Sequence, residues 1–186
     1  EAHETFGEYL NQYDVIFLNI QRFLSRAKEL ELTEYLEQSV LDELRKAYGS
    51  FFPQTERSLA CALAQIYAET GRQFIFLIDE WDCVMRERQE AEGLQRQYLD
   101  FLRDLLKDQP YVALAYVTGI LPVKKYGSHS ALNMFWEYSM TDQKELEEYT
   151  GFTETEVKGL CERFRMDFAE TSRWYDGYRF KRYRHI

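Results

Sequence analysis

The sequence predicts an α/β fold built on a parallel sheet with helices on both faces, and three observations carry that expectation. Short, almost uninterrupted apolar runs recur at Val15–Ile20, Phe74–Ile78 and Tyr111–Val117, as strands buried on both sides require. Between them lie stretches with apolar residues at spacings of three and four, giving the βαβ alternation of a parallel sheet. Only 9 Gly and 3 Pro occur in 186 residues, too few for a turn-rich all-β sandwich.

The elements follow in order. After the first strand, residues 25 to 48 carry Leu32, Leu36, Val40, Leu41 and Leu44 on one face of an amphipathic helix that stops near Gly49. A second helix follows Pro53, with Leu59, Leu63, Ile66 and Tyr67 on one side and Gly71 as its stop. Past the second strand, Leu94, Tyr98, Phe101, Leu102, Leu105 and Leu106 form a further stripe, closed by Pro110 before the third strand. Right-handed crossovers would place helices on both faces of the sheet. Beyond residue 120 the pattern turns to loop and helix. Thr153 and Glu156 have the spacing of a capping box at a helix start, continued by Val157, Leu160, Cys161 and Phe164. The chain therefore divides into an α/β core, residues 1–140, and a helical, aromatic, lid-like segment, residues 141–186.

Composition narrows the function classes. With 23 Lys+Arg against 32 Asp+Glu the net charge is −9, a poor field for non-specific nucleic-acid binding. The longest uncharged apolar run is too short to cross a bilayer, and Glu1-Ala2-His3-Glu4 is not the start of a signal peptide. Cys61, Cys83 and Cys161 include no CxxC pair and are odd in number, and no pair of the 3 His has zinc-site spacing. A cytoplasmic protein with reduced thiols is the expectation. The opening without Met and the basic, aromatic ending read as cuts from a longer chain.

In parallel α/β sheets ligands bind beyond the carboxyl ends of the strands, so the residues after Ile20, Ile78 and Val117 carry the functional interest. The second strand runs Phe-Ile-Phe-Leu-Ile and ends in Asp79-Glu80-Trp81-Asp82. A buried strand ending in Asp-Glu is the Walker B pattern: the first acid holds Mg²⁺, and the next polarises an attacking water as general base. The same acids could instead cap the helix that follows. No GxxxxGK[ST] loop occurs, so the amide cradle and Lys that hold phosphates are missing from these residues.

Several segments in order resemble the bacterial AAA-ATPase-like family, whose full-length members often carry a C-terminal PD-(D/E)XK nuclease-like domain. They are Leu10-Asn11-Gln12-Tyr13-Asp14-Val15-Ile16-Phe17-Leu18, Phe76-Leu77-Ile78-Asp79-Glu80-Trp81-Asp82, Tyr98 to Lys107, Tyr116 to Asn133, Gly151-Phe152-Thr153 and Trp174-Tyr175-Asp176-Gly177-Tyr178. The resemblance implies a truncated P-loop NTPase core whose P-loop precedes Glu1. It implies ATP and Mg²⁺ as cofactors of the parent protein, Asp79 as the metal carboxylate, Glu80 as catalytic base and Thr118 as a sensor of the γ-phosphate. Thr118-Gly119 could equally be a strand-ending turn. Lys124 and Lys125 fall in the loop beyond the third strand and either touch phosphate or form a solvated pair. Asn133 orders that loop or touches nucleotide. The aromatics of Trp174–Tyr178 are expected to pack a lid onto the core.

The implied activity is ATP hydrolysis by the parent, coupled to an effector domain, with the present residues inactive alone. A non-hydrolytic protein-interaction module on the same fold is the alternative. No membrane is implied, and nucleic acid only through an absent C-terminal domain. In the family's arrangement the P-loop strand neighbours the third strand. Without it that edge is expected to pair with a second copy, as an edge-strand dimer, or with the run Phe135–Met140.

Overall fold

The computed structural model describes residues 6–27, 32–52, 58–123, 132–139, 142–175, 177, 179 and 184–186. They fall into two compact units, Glu1–Phe135 and Trp136–Ile186.

The first unit is α/β. Its strands β1 (Asp14–Asn19), β2 (Phe74–Asp79) and β3 (Val112–Val117) are all parallel and lie in the order β1-β2-β3. Helices α1 (Phe6–Tyr9), α2 (Ile20–Arg26), α3 (Leu32–Tyr48), α4 (Leu59–Thr70), α5 (Cys83–Glu87) and α6 (Glu92–Leu106) complete it. The helix expected over 25–48 is two helices. Ile20 prolongs the apolar run but leaves the strand, because Asn19 accepts a hydrogen bond from the Arg22 backbone N–H and caps α2. Gly71 ends α4 in the left-handed conformation, φ 69°, donating its N–H to the Tyr67 carbonyl.

Among the described residues only one face of the sheet is covered. Ile16, Leu18, Phe74, Phe76 and Ile78 are buried in a core with Leu36, Leu41, Leu63, Ile66, Tyr98 and Leu102, and α3 packs on both α4 and α6. On the other face Val15 and Phe17 are each 58% exposed, Leu114 53% and Tyr116 55%. The expectation of helices on both faces is thus corrected for the described residues. The reason is topological: in the order β1-β2-β3 both crossovers step the same way, so right-handed connections put both sets of helices on one side. Register makes the bare face continuous, with Val15 beside Ile75 beside Leu114, and Phe17 beside Leu77 beside Tyr116. A register shift between Phe74 and Ile75 skips Ala113 and brings Leu114 to that face. β3 is an edge strand. The described part of the run 135–140 is not a strand of this sheet.

In the second unit a 3-10 turn at Lys144–Tyr149 precedes α7 (Glu154–Phe164) and α8 (Phe168–Tyr175). The Thr153–Glu156 capping box closes α7: Thr153 N–H donates to the Glu156 carboxylate at 2.8 Å, and Glu156 N–H to Thr153 Oγ1 at 3.3 Å. Trp174 and Tyr175 are 80% and 72% exposed. Within this unit they end a short helix with no buried residue; Asp176 and Tyr178 lie outside the described residues.

Candidate functional site

Each of the three strands ends on, or is followed at once by, a polar residue: Asn19, Asp79 and Thr118. Parallel pairing in register brings these to one end of the sheet, Asn19 directly beside Asp79. The Asp79 carboxylate is the centre of the group. Asn19 Nδ2 donates to its Oδ2 at 3.0 Å and Thr118 Oγ1 donates to its Oδ1 at 2.6 Å. Two backbone bonds hold Thr118 there: its N–H donates to Ile78 O at 2.8 Å, and its carbonyl accepts from Trp81 N–H at 3.1 Å. A carboxylate gripped from both sides has a fixed rotamer, and each oxygen keeps a lone pair for a further partner.

The chain then turns sharply. Glu80 takes a left-handed backbone, φ 55°, unusual for a residue with a Cβ, and its carboxylate pairs with the Arg86 guanidinium. Arg86 also reaches Asp82, Nε to Oδ2 at 3.1 Å. Asp82 is fully buried, and the same oxygen accepts the backbone N–H groups of Ile120 at 3.2 Å and Leu121 at 2.9 Å. Burial disfavours the Arg86 cation, but Asp82 and Glu80 outweigh it and hold its pKa above the ordinary value. Burial, with Glu87 next in size, pushes the neighbouring Cys83 thiol up to about 12, leaving it protonated and inert at neutral pH. Gly119 lies so close to this turn that a Cβ would stand 2.5 Å from Trp81 Cδ1 and 2.6 Å from Asp82 Oδ1.

The sequence expectations therefore separate. Asp79 and Thr118 touch; Glu80 lies next in the chain but is engaged by Arg86. Asn133 is exposed, and the Asp79 carboxylate is bonded by Asn19 and Thr118 instead. Lys124 and Lys125 lie outside the described residues. Asn19 and Arg86 were missed by sequence reasoning, and Asp82 was read only as a possible cap of the following helix. Asn19 had a signal, a polar residue interrupting an apolar run at the same end as Asp79. Asp82 does not cap α5 with its side chain; it ties the α5 turn to the loop after β3, a pairing across 38 residues that spacing does not reveal. Among the described residues no group of three or more His, Cys, Asp or Glu is placed to hold a metal ion, and no helix is long and apolar enough to cross a membrane.

A family model described as predicted AAA-ATPase matches residues 1–128. The chain belongs to that family. The match takes in all three strands of this predicted AAA-ATPase and every member of the strand-end cluster, Asn19, Asp79, Glu80, Asp82, Arg86 and Thr118, and stops before Asn133. One relative, an uncharacterized protein in the vnfD 5' region of Azotobacter chroococcum mcd 1, is 28% identical over 122 residues, covering 62% of this chain and 23% of that protein. The chain thus spans about a quarter of its relative's length.

Proposed function

We propose that these residues form part of the ATP-binding and ATP-hydrolysing core of an AAA-like protein, with Asp79 as the Mg²⁺ carboxylate, Glu80 as general base and Thr118 as sensor. The observation that carries this is the Asn19–Asp79–Thr118 group at the carboxyl end of a parallel sheet, beside an acidic turn. The residues fit a magnesium ion bound to nucleotide. Such an ion keeps several waters, takes phosphate oxygens and needs only one or two protein carboxylates, so one fixed carboxylate is the right donor set and a three-acid cage is not required. When bound, Mg²⁺ would neutralise charge on the phosphates. Asp79 would be held in place by its two neighbours. Glu80 would accept the proton of the attacking water, which requires that Arg86 release its carboxylate to face that water.

Lys124 and Lys125 belong to this reading as phosphate contacts and Asn133 as a nucleotide or loop-ordering contact. The P-loop is assigned to a segment preceding Glu1. A strand from such a segment, set beside the free edge of β3, would reverse the strand order there and create the switch point at which α/β sheets bind ligands. The helix after it would lie over the bare face. Where that edge is unpaired, it would pair with a second copy or with another segment of the chain. On this reading the parent would act in the cytoplasm, coupled to an effector domain or protein partner.

The engagement of Glu80 by Arg86 favours a second reading, in which the same fold serves as a non-hydrolytic interaction module. Phosphate release by the 186-residue chain tests the P-loop assignment. Background rates with Mg²⁺-ATP are expected, because the amide cradle and Lys supply most of the phosphate charge compensation. Release above background that Asp79→Ala abolishes would overturn it.

A further inference from the structure

The sheet has a second free edge, remote in register from the P-loop assignment and independent of it. Along β1 runs a groove of about 680 Å³, walled on its other side by α3. Asp14 N–H donates to Gln73 O at 3.2 Å, so Asp14, Ile16 and Leu18 direct their backbone groups at β2. By the alternation of a strand, Val15 and Phe17 direct theirs the opposite way. Both residues line the groove, and no strand lies on that side of β1 among the described residues. The usual protections of an edge, a Lys, a Pro or a bulge, do not occur in Asp14–Asn19. The facing wall is apolar where Val40 and Leu44 line it.

Charge marks the groove as well. Asp14 is already engaged, by Arg72 Nη1 at 2.9 Å and by the Tyr48 hydroxyl. Glu43 lines the same groove from α3, is exposed, and forms no ion pair among the described residues. An unpaired backbone ladder beside an apolar wall specifies an extended chain as occupant, since only a strand satisfies both. The free carboxylate specifies its charge.

We propose that the free edge of β1 docks an extended segment of a protein partner as a fourth strand, apolar at alternate positions and bearing a Lys or Arg that meets Glu43. The main-chain bonds to Val15 and Phe17 supply the binding, and Glu43 selects the basic register.

The test uses the ¹⁵N-labelled 186-residue chain and the capped hexapeptide Thr-Val-Thr-Lys-Thr-Val, whose two Val and the Lys share one face, in three forms: unmodified, and N-methylated at the odd or at the even residues. The expected result is saturable shifts and slowed hydrogen exchange at the Val15 and Phe17 amides. One N-methylated form should lose binding and the other keep it, because only alternate N–H groups face β1. Glu43→Lys should weaken the Lys peptide about tenfold and favour its Glu counterpart. Val15→Pro removes an outward N–H without touching the β2 ladder, and should also abolish binding. Should that variant fail to fold, the two N-methylated peptides on the unaltered chain still decide the matter. Equal binding of both, shifts confined to other residues, or no saturation would overturn the proposal. So would a free chain that sediments as a dimer with Val15 and Phe17 amides already protected, which would make the occupant a second copy.

Discussion

The two faces of the same three strands differ sharply in how far they are covered among the described residues. Phe76 and Ile78 are essentially inaccessible on one side, while Phe17 and Tyr116, from neighbouring strands, are more than half exposed on the other. Their composition is alike; their cover is not. Apolar residues on both faces of a strand state that both faces are to be buried, but not which part of the polypeptide buries them. Here the two crossovers between consecutive strands cover one face, and the site at the strand ends is left with an exposed apolar flank.

The largest expected effect breaks or confirms that contrast directly. Phe76→Ala should destabilise the chain by about 3–5 kcal/mol, the usual result of emptying a packed core site. Phe17→Ala, on the bare face, should change it by about 0.5 kcal/mol or less. Urea unfolding of both variants reads the difference. Similar losses would mean that the bare face is covered in solution.

A smaller effect is expected where the strand ends meet the α5 turn. Gly119→Ala would drive a methyl into the Trp81 indole and the Asp82 carboxylate, both in buried side chains with little room to yield. A loss of about 1–3 kcal/mol is expected, as for other overpacked sites. The Ile120 and Leu121 amide resonances should shift with it, because Asp82 is their acceptor. Unchanged stability and unchanged amides would show that this loop is free of the turn.

How much of this was legible beforehand depended on range. The strands were readable to within a residue or two, because four to seven consecutive apolar residues between polar ones have few other solutions. Gly71 and the Thr153–Glu156 box act over a few residues and were readable as stop and start. Asp79 was readable as a candidate because its neighbours announce a strand end. Asn19 was passed over because the apolar run continues through Ile20, hiding the change from strand to helix. The Asp82–Arg86–Glu80 link and the bare face depend on strand order and on contacts between distant segments, and periodicity carries neither.

The smallest effect belongs to the unit without a sheet. Hydrogen bonds from the Thr153 backbone and hydroxyl hold the Glu156 pKa below its ordinary value. A depressed carboxylate contributes stability that is present above its unfolded pKa, about 4.3, and is lost as pH falls through the lowered folded value. Exchange at the first amides of α7 should therefore quicken in acid below that range. Glu156→Gln should remove this pH dependence, because an amide does not titrate yet can still accept from the Thr153 N–H, at a cost of about 1 kcal/mol or less. Acid sensitivity that persists in the variant would assign it to another carboxylate.

The most direct test of the central claim is ATP hydrolysis by the parent polypeptide, unaltered and with Glu80→Gln. Mg²⁺-dependent phosphate release is predicted for the unaltered protein. In the variant, nucleotide binding should be kept and turnover should fall by about 10²–10⁴, the usual worth of a general base. A Glu80→Gln protein that hydrolyses ATP at the full rate, or an unaltered parent that binds no nucleotide, would contradict the account.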